Sequence, residues 1–173
     1  ILERSTLLVS SVEITQAISQ LAEKINQRFS GEVPLLMCIM NGGLMLTGRL
    51  MSELSIFAQL DYMQTSRYRD GTVGGTLDWR VRPGQSIQGR SVVLIDDIFD
   101  EGHTLAEIHA HCLDEGASDV CSVVLFDKEH SHKVANYKPD LVGMTVEDHY
   151  LFGFGMDYDG HFRHLPNVYA LSM

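Results

Sequence analysis

The chain has 173 residues, of which 45% are hydrophobic and 21% charged, the balance of a soluble globular protein long enough to bury a core. Its 13 basic and 23 acidic residues leave a formal charge of −10. That charge argues against a nucleic-acid backbone or an anionic membrane as the main partner, but not against a small anionic ligand held by backbone dipoles. The first predicted element is a helix over residues 14–29, where Ile14, Ala17, Ile18, Leu21, Ala22, Ile25 and Phe29 form one apolar stripe. Ser10 and Glu13 fit a capping box, and Gly31 stands just past the end. Residues 33–40 are nearly all apolar and predict a strand covered on both faces. Asn41, Gly42 and Gly43 break it; a helix is predicted over 44–54 and a second strand over 56–65. Residues 66–88 hold four glycines and few aliphatics, which predicts a functional or mobile loop, and Leu77 to Val81 alternates weakly enough to form part of a hairpin.

A third buried strand is predicted over 91–95, a helix over 104–115 ended by Gly116, and further strands over 120–126 and 141–146. Residues 151–154 and 168–171 are short strand candidates. Strands alternating with helices predict right-handed βαβ units, an α/β fold with a largely parallel sheet, in one domain over residues 1–173. No apolar run is long enough to span a membrane, and the opening residues lack the basic start and cleavage site of a signal peptide. Cys38, Cys112 and Cys121 sit among apolar residues without a CxxC spacing, so they are expected to be small buried hydrophobes in a reducing, cytoplasmic compartment, with no structural zinc.

The run VVLIDDIFDEGHTL, residues 92–105, carries the chemistry. Four aliphatics precede Asp96, Asp97, Asp100 and Glu101, and a helical pattern follows Gly102 and Thr104. In an open parallel sheet, ligands bind beyond the carboxyl ends of the strands. The turn from Asp100 to Thr104 leads into a helix N-terminus, whose free N–H groups and positive dipole end favour an anion. Gly102 allows close backbone approach and Thr104 adds a hydroxyl. The acidic pair upstream can accept hydrogen bonds from a diol or help hold a hydrated Mg²⁺. A phosphate beside a diol describes a ribose 5-phosphate. A solvated acidic loop accounts for one or two of these acids but not for the ordered turn. A phospho-receiver domain carries its acidic pair on the first strand, whereas this pair stands at positions 96 and 97.

Residues 92–104 resemble the signature of the type I phosphoribosyltransferases: a hydrophobic strand, two adjacent acids, two hydrophobics and an Asp/Glu-x-Gly-x-Thr turn. From Leu141 the chain reads LVGMTVEDHYLFGFGMDYDGHFRHLPNVYAL, which is similar to the C-terminal signature of the hypoxanthine-guanine phosphoribosyltransferases. The resemblance runs from about Val33 onward. It implies a twisted, largely parallel sheet flanked by helices, a small hood from residues 145–173 and the N-terminal segment, and a mobile loop over residues 66–81. The implied reaction is Mg²⁺-dependent transfer of ribose 5-phosphate from phosphoribosyl pyrophosphate to N9 of hypoxanthine or guanine, giving IMP or GMP. A homodimer or homotetramer is implied as well.

The same resemblance assigns roles. Asp96 and Asp97 would bind the ribose hydroxyls, which requires the strand to bend there because neighbours on a regular strand face opposite ways. Asp100, Glu101, Gly102, His103 and Thr104 would wrap the 5-phosphate, and Asp100 would act as general acid/base at the purine N7. Lys128 would donate to the purine O6, Tyr150 would stack on the base, and the Leu151 backbone would read its edge. Asp157 would serve the purine and Mg²⁺, with Asp96 and Asp97 as further metal candidates. Asn41, Gly42 and Gly43, with a cis peptide before Asn41, would form the pyrophosphate-side loop with Arg67, Tyr68 and Arg163. Three positions depart from the pattern: Asn41 replaces a common basic residue, Arg67–Tyr68 a usual Ser-Tyr, and Glu101 a small hydroxyl residue. Glu101 fits only if its side chain points to water.

The eight histidines are expected to be solvated or hydrogen-bonded rather than metal-bound, with His103 set apart by its place in the phosphate turn. Trp79 is expected in the loop. Two rival functions remain: a xanthine-preferring enzyme of the same kind, and a non-catalytic regulator that binds the donor. The regulator is disfavoured by the acidic charge and the lack of a nucleic-acid-binding module.

Overall fold

The computed structural model describes residues 1–67 and 77–171, with the backbone alone at Ser66 and Arg67. A single 3-10 turn, Leu2–Arg4, leads into β1, Ser5–Val9. Helix α1 spans Ser11–Arg28, and its N-terminus is closed by the expected capping box between Ser10 and Glu13. Strand β2, Leu35–Ile39, is buried throughout. It starts two residues later than its apolar run, since Pro34 has no N–H to give a sheet. Helix α2 follows at Leu44–Glu53, then β3 at Gln59–Arg67 and β4 at Leu77–Val81. β3 and β4 pair antiparallel, as the alternation in Leu77 to Val81 suggests. Trp79 therefore lies on a strand, not in a loop, and it packs on the His111 ring at 5.0 Å. Most of the expected mobile loop lies outside the described residues.

The remaining elements are β5 Ser91–Phe99, α3 His103–Asp114, β6 Asp119–Glu129, β7 Leu141–Glu147, β8 Leu151–Phe152 and β9 Val168–Leu171. A six-stranded sheet has the order β4-β3-β2-β5-β6-β7, and every neighbouring pair except β3–β4 runs parallel. A separate three-stranded antiparallel sheet joins β1, β9 and β8. No strand was expected at residues 5–9. Its half-exposed residues give no clean alternation, and its pairing partner β9 lies about 160 residues away.

The large sheet is covered on both faces. Leu36, Val93, Ile95, Cys121 and Val123 pack with α1 and α2, whereas Leu35, Met37, Val92 and Leu94 pack with Leu105, Ile108 and Cys112 of α3. This is the period-two alternation of a strand buried on both sides. All three cysteines are buried and free. Burial pushes the Cys112 thiol up to about 11 and the Cys121 thiol up to about 12, so both are poor nucleophiles.

β5 and β6 both run past their apolar stretches. β5 continues through the acidic pair to Phe99, and β6 reaches Glu129, because the two strands keep pairing to Phe99 opposite Asp127 after β2 has stopped opposite Ile95. The acids thus lie inside a strand rather than beyond it. Across them the alternation slips by one. Ile95 and Ile98, three apart, join the same cluster, while Leu94 and Phe99, five apart, share the other. A regular strand would place each of those pairs on opposite faces. The expected bend is present at Asp96 and Asp97.

Candidate active site

Three parallel strands finish side by side, and each delivers part of one site. β2 ends in the Asn41–Gly43 turn, reached through a cis peptide between Met40 and Asn41. β5 brings Asp96 and Asp97, with Asp100 one residue past its end, and β6 brings Lys128. The glycines of the β2 turn leave room for what packs on them, a side chain at Gly42 and main chain at Gly43. A Cβ on Gly42 would lie 2.0 Å from Asp97 Oδ2, and one on Gly43 would lie 2.4 Å from the Ile95 carbonyl oxygen.

Asp96 and Asp97 are half-buried. The Asp97 N–H donates to Asp96 Oδ1 at 2.9 Å, and the Ile98 N–H donates to Asp97 Oδ1 at 2.8 Å. Desolvation, followed by the charge of Asp97, raises the Asp96 carboxyl well above the ordinary carboxylate range. Desolvation raises Asp97 as well, against the pull of hydrogen bonds and of Arg163. The two carboxyls are adjacent, so their titration belongs to the pair rather than to either residue.

The turn after β5 has the features of an anion seat. Gly102 is the N-cap of α3 in a left-handed conformation, φ 82°, and no side chain caps the helix. The first-turn amides are therefore open to an anion. Any Cβ at Gly102 would strike the Phe99 ring at 2.1 Å. Glu101 is exposed, as its position requires, and its carbonyl accepts the Val134 N–H at 2.7 Å.

Asp100 stands at the mouth of this turn with its two oxygens divided. Oδ2 accepts from Lys128 Nζ at 3.0 Å, and Oδ1 lies 2.8 Å from His130 Nε2. Desolvation works against its charge, but the hydrogen bonds from Lys128 and His130 outweigh it and hold the carboxyl below its ordinary value. Lys128 is nearly buried and also lies 3.5 Å from Asp148. Among the described residues, Asp100, His130 and Asp148 are the group whose ligand atoms come within 4.8 Å of one another. The Lys128 ammonium already supplies the cation there, so this group is an ion-pair network.

The C-terminal segment folds back over the β2 turn. A Cβ on Gly155, φ 100°, would meet the Gly42 carbonyl oxygen at 2.3 Å, so the two loops touch through glycine. Arg163 Nη1 donates to the Gly155 carbonyl at 2.6 Å, and Nη2 pairs with Asp157 Oδ1 at 2.5 Å. Asp157 Oδ2 accepts the Gly160 N–H at 2.7 Å. Tyr150 is 52% exposed, and its hydroxyl donates to the Asp157 carbonyl at 3.2 Å. Leu151 is buried. Tyr68 and the Arg67 side chain lie outside the described residues.

The phosphoribosyl transferase domain family matches residues 8–161. The chain belongs to that family. This phosphoribosyltransferase is 31% identical over 167 residues to the hypoxanthine-guanine phosphoribosyltransferase of Streptococcus thermophilus, across 96% of this chain and 92% of that protein. It is 32% identical over 168 residues to the enzyme of the same name from Aquifex aeolicus, across 96% and 94%. The solved hypoxanthine phosphoribosyltransferase of Staphylococcus aureus superposes with a TM-score of 0.90 at 25% identity, covering 96% of this chain and 90% of that one.

Three residues of the phosphoribosyltransferase's site were not anticipated. Asp148 joins the Lys128 network. His130, expected to be solvated or hydrogen-bonded in a polar loop, is hydrogen-bonded, but to Asp100, a partner that was not foreseen, and its side chain is only 8% exposed. Lys133 pairs with Asp127, donates to the Phe99 carbonyl at 3.2 Å, and lies 4.3 Å from the Phe99 ring centre. A residue two positions beyond Lys128 on an extended strand would share its face, and that spacing was the available signal for His130.

Proposed function

We propose that this phosphoribosyltransferase serves purine salvage, moving ribose 5-phosphate from phosphoribosyl pyrophosphate to N9 of hypoxanthine or guanine with release of pyrophosphate. One observation carries the reading: an uncapped helix N-terminus, an adjacent pair of desolvated aspartates and the Lys128–Asp100 pair converge at the carboxyl ends of neighbouring parallel strands. Amides of the turn from Asp100 to Thr104 seat the 5-phosphate. Asp96 and Asp97 accept from the ribose diol. As the bond at the anomeric carbon breaks, the sugar gains positive charge, and ionised aspartates beside it become more stable.

Asp100 is the proposed general acid/base at N7. Its depressed carboxyl is ionised in the free protein, so it is ready to accept a proton. Lys128 is the donor to O6, Tyr150 the stacking face, and the Leu151 backbone the reader of the base edge. Asn41, Gly42, Gly43 and Arg163 face the pyrophosphate, with Arg67 and Tyr68 assigned there too. The β1-β9-β8 sheet forms the hood over the base within a single domain, residues 1–173. Asp157, Asp96 and Asp97 offer only carboxylate oxygens, the donor set that suits Mg²⁺, and Arg163 links the electrostatics of Asp157 and Asp97. When bound, Mg²⁺ neutralises charge on the departing pyrophosphate. A cytoplasmic homodimer or homotetramer completes the proposal; no helix is long and apolar enough to cross a membrane among the described residues.

The test is steady-state turnover with phosphoribosyl pyrophosphate, Mg²⁺ and each of hypoxanthine, guanine and xanthine. Pyrophosphate release is expected with the first two. A higher kcat/KM for xanthine would make the protein a xanthine-preferring enzyme, and donor binding without turnover on any base would make it a regulator.

A further inference from the structure

We infer that His130 is a positioning residue for Asp100, holding one carboxylate oxygen so that the other faces the reacting base after Lys128 has turned to that base. The inference rests on the proposed role of Asp100 and adds a residue to it. His130 Nδ1 accepts the His132 N–H at 3.1 Å. A neutral imidazole whose Nδ1 accepts must carry its proton on Nε2. Nε2 is the atom 2.8 Å from Asp100 Oδ1, so the ring donates there. The backbone thus selects the tautomer, and the nearly buried ring has little freedom to leave.

The geometry explains why a second anchor is needed. Among the described residues, Asp100 is held from one side: both contacts to its carboxylate, from Lys128 and His130, come from the end of β6. Asp148 faces the same group from the β7–β8 turn, and Lys133 reaches the Asp100 carbonyl at 3.4 Å rather than its carboxylate. The side chain is 51% exposed and would swing if Lys128 alone restrained it. Lys128 is also the residue proposed to bind O6. When that bond forms, the Lys128–Asp100 contact lengthens or is shared, and His130 is the donor that stays. A carboxylate fixed through Oδ1 presents Oδ2 to N7 in one orientation, and misplacing a reacting group by about 1 Å can cost 10²-fold in rate.

The test compares His130→Ala and His130→Gln, since a glutamine amide can donate where Nε2 does. In His130→Ala, kcat should fall roughly tenfold, the scale of one hydrogen bond to a charged group, with KM for the donor changed less than about twofold. His130→Gln should recover most of the loss. Adding His130→Ala to Asp100→Asn should cost nothing further. Two readings need no turnover: ¹⁵N shifts should show the Nε2–H tautomer in the free protein, and the Asp100 carboxyl should titrate higher in His130→Ala than in wild type. A Nδ1–H tautomer, or an Asp100 titration unmoved by His130→Ala, would overturn the inference. So would a glutamine variant as slow as the alanine one. An inactive wild type would sink the proposed function alone, because the two readings on the free protein still decide His130. Should His130→Ala not fold, the wild-type tautomer and the glutamine variant's Asp100 titration settle it.

Discussion

Asp96–Asp97 and Asp100 lie within five residues of one another, on the same strand and its exit, yet their surroundings act on them in opposite ways. The pair is pressed together where β5 bends and desolvated, and both carboxyls are raised, Asp96 well above its ordinary value. Asp100 stands one step further out, between an ammonium and an imidazole, and is lowered. The same side chain therefore offers two chemistries. A pair that resists ionisation gains from a ligand that brings hydroxyls, a cation or developing positive charge. A lone carboxylate that is already ionised can take a proton. Pushing neighbouring carboxyls apart in this manner divides roles among identical residues, and here packing rather than residue type makes the division.

Removing the charge on either side breaks the contrast. The largest effect belongs to Asp100→Asn, which keeps the shape but cannot exchange a proton. Its kcat should drop by roughly 10²–10⁴-fold, the range of a general acid/base, with KM for the donor nearly unchanged. Single-turnover kinetics at saturating donor measures it, and wild-type turnover would remove Asp100 from the chemistry. Next in size is Lys128→Ala. It takes away one of the two hydrogen bonds that depress Asp100, along with the proposed O6 donor. KM for the base should rise roughly 10–100-fold while KM for the donor moves little. An equal change in both would count against Lys128 as the reader of the base.

A sharper test separates two adjacent glycines. At Gly42 an added Cβ meets the end of the Asp97 side chain, which can swing away; at Gly43 it meets main-chain oxygens, which cannot. Gly42→Ala should therefore keep its thermal midpoint and lose kcat/KM by roughly tenfold, because it displaces one member of the acidic pair. Gly43→Ala should cost about 1–3 kcal/mol of stability, as overpacking does. Paired melting curves and kinetics would read both, and the reverse assignment would show that Asp97 does not depend on the turn.

The parts of the site visible in the sequence were those encoded contiguously. The run from Val92 to Thr104 contains its own strand, bend, glycine and helix start, so the uncapped helix start and its neighbouring acids could be read without knowing any long-range contact. The central βαβ pattern was legible for the same reason. β1 was not, since its partner β9 lies at the other end of the chain. His130 and Asp148 escaped because nothing local joins them to Asp100; they meet it only when β6 outruns its apolar stretch and the β7–β8 turn comes alongside. The C-terminal loop was visible as a motif, but its geometry depends on left-handed residues such as Phe154 and Phe162, which composition does not flag.

The smallest expected effect is on stability. Asp96 has a folded-state pKa above its unfolded one, so the fold prefers it protonated. Below the ordinary carboxylate range, both states hold the proton and the residue contributes nothing. As pH rises from there through the raised folded value, the unfolded chain ionises first, and the folded state loses stability until Asp96 ionises as well. Asparagine does not titrate, and its Oδ1 can still accept the Asp97 N–H. In metal-free buffer, Asp96→Asn should thus melt like wild type at the acid end of the carboxylate range and progressively higher than wild type as pH rises above it. The same variant should bind donor more weakly, so stability and function should move in opposite directions. A melting difference independent of pH would show that ionisation of the Asp96 carboxyl does not set the stability of this bend.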